Sequence, residues 1–114
     1  MNAELRPAPQ GAAAYRRRLT AKQMEAEVFI RATRAIRLAQ QGGVLDQARA
    51  VADNRRLWGA VHASVIDPTN ALPAELRGRI AGVALAVMRE CEAAQPDLGF
   101  VAEMNEFFAA GLFG

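Results

Sequence analysis

Four apolar stripes at helical spacing, divided by glycine and proline stops, predict an all-α fold: a small single-domain bundle of about four helices. Composition agrees. Apolar residues make up 52% of the chain, too many for wholesale disorder, and alanine dominates them. Alanine loses no side-chain entropy in a helix. Nowhere does a run of β-branched residues alternate with polar ones, so no strand is expected. A chain of 114 residues forms one domain and can bury a core without disulfide or metal.

Residues 1–13, with Pro7, Pro9 and Gly11, read as a disordered tail before a helical domain over 14–114. The first helix is expected from Ala21 to Gln41, because Thr20 and Gln23 have the form of a capping box. Nothing in Tyr15–Leu19 forbids an earlier start. Val28, Ala32, Ala35 and Ala39 share one face, with Phe29, Thr33 and Ile36 beside it. Gly42 and Gly43 should end this helix by supplying a left-handed residue. The second helix, Leu45 to Val65, carries Val44, Val51, Trp58 and Val65 every seven residues, with Gln47, Asn54 and Val61 between. Asp67-Pro68 stops it. The third, Pro73 to Ala94, opens on a proline whose missing N–H is harmless there. Its stripe of Leu76, Ile80, Val83, Val87 and Cys91, widened by Leu85 and Met88, marks it as the most buried helix. The fourth, Leu98 to Leu112, has Asp97 as its cap and Leu98, Val101, Asn105, Phe108 and Leu112 on one face.

Charge is uneven. Residues 1–57 hold eleven Arg/Lys against five acids, and residues 58–114 three against seven. The halves, at +6 and −4, attract each other, and the first could attract an acidic partner. The arginines at 16–18, 31, 34, 37, 55 and 56 could touch phosphates, but the chain has a single lysine and no recognised nucleic-acid module. They read as solvated faces, and nucleic acid is not the expected partner. No apolar run near the start resembles a signal peptide, and none approaches the ~18 residues of a spanning helix. A cytoplasmic protein without membrane association is expected, consistent with a lone cysteine.

Enzyme signatures are missing. One His and one Cys, on different helices, cannot make a metal set, and no phosphate loop or Gly-x-Ser-x-Gly element is present. No catalytic, cofactor-binding or metal-binding residue is assigned, and no cofactor is expected. His62, one turn after Trp58, and Cys91 read as structural. Trp58 should be buried and anchor the core. Asn54 and Asn105 are unusual, because each falls on an apolar stripe. Either they are boundary positions facing water, or each is buried and bonds backbone groups, setting the register of the bundle.

Asn54-Arg55-Arg56-Leu57-Trp58 resembles the Asn-Arg-x-Leu-Trp segment of FlaF, a flagellar biosynthesis regulator family. Asn70-x-Leu72-Pro73 with Glu75-Leu76-Arg77 resembles its next segment. Ala14-Tyr15, Glu27 and Thr33-Arg34-Ala35-Ile36 resemble its start, and Asn105 with Gly111-Leu112 its close. The likeness spans about residues 14–112. It marks Asn54, Leu57, Trp58, Asn70, Pro73 and Asn105 as the motif residues. It implies a cytoplasmic bacterial protein that supports flagellin synthesis and filament assembly, binding flagellin as a secretion chaperone in concert with FlbT. An alternative of another class is a post-transcriptional regulator of flagellin synthesis acting with FlbT or through RNA. Near the end of the chain, Phe108 and Leu112 can share one helix face, but Phe107 and Phe113 cannot join them. Met104, Phe107 and Phe113 are therefore the candidate partner-binding residues.

Overall fold

The computed structural model describes residues 10–113, with side chains described over 25–111. Four helices follow in order: α1 (Gln10–Ala39), α2 (Val44–Ile66), α3 (Ala74–Cys91) and α4 (Leu98–Phe113). No strand occurs among the described residues, and no helix there is long and apolar enough to cross a membrane. Sequential neighbours α1/α2 and α2/α3 run antiparallel, as short connections require, and so do α1 and α4. Ala39 lies by Gln47 and Ala32 by Asn54, while Arg37 reaches Glu106. The closest associations are α2 with α3 and α1 with α4; α3 and α4 barely meet.

Several ends differ from the sequence expectation. The tail expected over 1–13 lies outside the described residues as far as residue 9, and residues 10–13 belong to α1. Thr20 is inside this helix rather than its cap. Ala, Arg and Leu between Ala12 and Ala21 are strong helix formers with no breaker among them, so the helix has no cause to start at Thr20. At the other end, no described glycine has a positive φ. The chain leaves α1 through a tightened turn, with the Gln41 and Gly42 N–H groups donating to Leu38 O and Ala39 O. The Gln47 amide then donates to the Ala39 and Gly42 carbonyls at 3.1 and 3.4 Å. Gly42 supplies room instead of handedness, since a Cβ there would stand 3.0 Å from the Asp46 carboxylate.

Pro73 is the cap of α3 and not its first helical residue; its extended ψ of 142° keeps it outside, while its carbonyl accepts the Arg77 N–H. The helix closes at Cys91 instead of Ala94, because Glu92 N–H is shared between Met88 O and Arg89 O and the chain turns toward Pro96. Asp97 caps α4 as expected, its Oδ1 accepting the Phe100 N–H at 3.0 Å.

The core is made by Phe29, Ile36 and Ala39 of α1, Ala50 and Trp58 of α2, Ala84, Val87 and Cys91 of α3, and Val101 and Ala102 of α4. The buried face of α1 follows Ala26, Phe29, Ile36 and Ala39; Val28, placed on the inner stripe by the sequence, is exposed. Val44, which begins the heptad stripe of α2, is 85% exposed at the first position of that helix. The third helix is not the most buried. It rests on α2 along Ala84, Val87 and Cys91, with Leu76 and Val83 exposed on one flank and Leu85 on the other. The charge asymmetry appears as two bridges between the halves, Arg37–Glu106 and Arg55–Glu92. Both are solvent-exposed, so each contributes at most about 1 kcal/mol.

Candidate functional site

Trp58 is the centre of the bundle and is wholly buried. Its ring packs edge-on against Phe29 and Phe108, with centroids 5.5 and 5.3 Å away, and the two phenyl rings lie 4.8 Å apart. Such geometry matches the positive edge of one ring to the negative face of another. The indole N–H needs an acceptor, and finds Asn105 Oδ1 at 2.7 Å. Asn105 in turn donates from Nδ2 to Asn54 Oδ1 at 2.6 Å. The Asn54 amide donates to Ala50 O at 2.8 Å and Ala32 O at 3.2 Å. One polar relay thus joins α4, α2 and α1 through fully buried groups. Asn54 bonds backbone carbonyls, as expected. Asn105 does not; its partners are two side chains, Trp58 and Asn54.

The other motif residues hold the frame. Leu57 is half-buried beside the core. Asn70 closes the α2–α3 connection: its amide donates to Ser64 O at 2.9 Å and its Oδ1 accepts the Leu72 N–H at 3.0 Å. That locks the turn which delivers Pro73 to the start of α3.

Above the relay, the seam between α3 and α4 stays open. It forms a cavity of about 280 Å3 lined by Trp58, Arg79, Ile80, Val83, Met104, Phe107 and Phe108. Phe107 is 72% exposed on its rim and Met104 half-buried in its wall. Phe113 ends α4, and its side chain lies outside the described ones. Two of the three candidate partner residues therefore meet at one groove. Ile80 and Val83 complete it; both belong to the apolar stripe of α3, and periodicity identifies such a face without saying whether a neighbour covers it.

His62 is half-buried. Cys91 lies in the wall of a larger cleft, about 770 Å3, between the start of α2 and the α3–α4 connection. Burial, reinforced by the Glu90 and Glu92 carboxylates against Arg55, pushes its thiol up to about 11. At neutral pH it is a thiol and a poor nucleophile. Among the described residues, no group of three or more His, Cys, Asp or Glu could hold a metal ion.

These features define a small helical protein whose core is organised by a Trp–Asn–Asn relay and whose α3–α4 seam is apolar and open. A family model described as "Flagellar protein FlaF" matches residues 10–112, nearly the whole chain. The chain belongs to the FlaF family of flagellar proteins. Neither a curated protein nor a solved structure matches it.

Proposed function

We propose that this protein binds flagellin in the cytoplasm as a secretion chaperone, supporting flagellin synthesis and filament assembly, and carries out no catalysis. The observation that carries the reading is the open α3–α4 seam with Phe107 on its rim and aromatic rings beneath. A flagellar protein that offers an apolar groove of helix-lined walls suits an amphipathic helix laid lengthwise. Segments of flagellin that become helical only when packed in the filament expose such stripes while they wait for export. A client segment that orders on binding offsets part of its contact energy with the ordering cost, so release for export stays easy. Met104 supports the reading, because a thioether adapts to varied surfaces.

Isothermal titration of the purified protein against flagellin fragments from each terminus tests this. Saturable binding by one terminal fragment, little changed between low and high salt, is expected. Absence of binding by either fragment sinks the reading. Binding to flagellin-message RNA that weakens steeply with salt would instead favour a regulator of synthesis, acting with FlbT or alone.

A further inference from the structure

The face shared by α1 and α4, on the side of α4 away from the seam, is split by charge. On α1, Ile30 is 44% exposed, with Arg31 and Arg34 following it. Neither arginine pairs with a carboxylate of the described residues, and Glu27, one turn before Arg31, does not close the available i,i+4 pair. On α4, Glu103 and Glu106 stand exposed, followed by the small Ala109 and Ala110. Between the two helices runs a shallow groove walled by Ile30, Thr33, Arg34 and Arg37 on one side and Glu106 and Ala109 on the other.

We propose that this face pairs with a second copy of itself, α1 of each copy lying on α4 of the other. Charge and topology select both the occupant and the symmetry. A two-fold axis across the helices would set arginine on arginine. A two-fold axis parallel to them sets basic α1 on acidic α4 twice and closes the assembly, as an isologous interface must. Because α1 and α4 are antiparallel within a copy, with Gln40 beside Gly99 and Phe29 beside Phe108, that axis keeps every residue at its own level. Arg34 then lies over the turn that carries Glu103 in the second copy, while Arg37 keeps its bridge to Glu106 within its own copy. Ile30 lies over Ala109 and Ala110, whose small side chains admit it. A nucleic acid fits this face poorly, since Glu27, Glu103 and Glu106 would meet its phosphates. Two helix faces roughly 20 Å long and ~10 Å wide each bury roughly 400 Å2 per copy, below the standard interface size. The dimer is therefore weak and concentration-dependent, with the ion pairs setting register and partner choice more than affinity. The α3–α4 seam stays free in it, so the proposal does not rest on flagellin binding.

Sedimentation velocity of the full chain from about 10 μM to 1 mM, a range that spans weak association, is expected to show a reversible monomer–dimer equilibrium that shifts to monomer at high salt. Arg31→Glu with Arg34→Glu, and separately Glu103→Arg with Glu106→Arg, should each be monomeric with unchanged helicity. Mixed in equal amounts, the two variants should form a heterodimer, because each then presents the sign the other lacks. A wild-type chain that stays monomeric throughout overturns the proposal. So does a dimer that survives in either charge-swapped variant, or a mixture that fails to associate.

Discussion

Asn105 donates its side-chain amide to the side-chain oxygen Oδ1 of Asn54 at 2.6 Å, across the interface of α4 and α2 and out of contact with water. Each asparagine would be a defect alone in an apolar core, since an unpaired buried amide costs about 1–3 kcal/mol. Together they satisfy one another, the Trp58 N–H and a free lone pair of Ala32 O. Asn54→Leu or Asn105→Leu strands a partner, so each should destabilise by about 1–3 kcal/mol. The double change strands fewer groups and should cost less than the sum of the two. Urea unfolding of the four species in a double-mutant cycle measures the coupling; strict additivity would mean that the pair does not act as a unit.

Trp58 contributes both ring and donor, and two substitutions separate them. Trp58→Ala removes a wholly buried side chain and should cost ~3–5 kcal/mol, enough to threaten the fold of a small domain. Trp58→Phe keeps an aromatic against Phe29 and Phe108 but leaves Asn105 Oδ1 without its indole donor, so ~1–3 kcal/mol is expected. Thermal melts check both, and an unchanged melting temperature in Trp58→Phe would show that the relay adds nothing to packing.

Phe107 is expected to behave oppositely. Being mostly exposed, it can be changed to Ser with a shift within about 0.5 kcal/mol in stability. Phe107→Ser combined with Val83→Ser should nonetheless weaken binding of a flagellin terminal fragment by at least tenfold, about 1.4 kcal/mol. Calorimetric titration of the folded variant decides it; retained affinity would move the client surface away from the α3–α4 seam.

Cys91 supplies a pH dependence whose sign is fixed. Its thiol is raised from 9.0 to about 11 in the folded protein. The folded state thus holds its proton where the unfolded state has lost it. The stabilisation is complete below the unfolded value and is lost as pH rises from about 9 through 11. Unfolding followed at pH 8 and pH 10.5 should show lower stability at the higher pH in the wild type. That drop should shrink in Cys91→Ala. In the native state, alkylation by iodoacetamide at pH 7.5 should be slow until denaturant is added.

What the sequence alone determined is the helical architecture and its punctuation. Spacing at 3.6 residues is a local property, so Trp58 and Val101 could be placed on inward faces, and Asp97 could be read as a cap, because each depends on neighbours within a turn or two. The membership of Asn54-Arg55-Arg56-Leu57-Trp58 in a family segment was also legible, because it is a matter of residue order. Tertiary structure decided the rest. Whether Val44, Val83 and Leu85 are covered depends on which helices lie beside them, and α3 has only α2 as an extensive neighbour. The partner of Asn105 was hidden for the same reason: Asn54 lies 51 positions away, and no local pattern says which polar groups a packed bundle will bring within hydrogen-bonding distance.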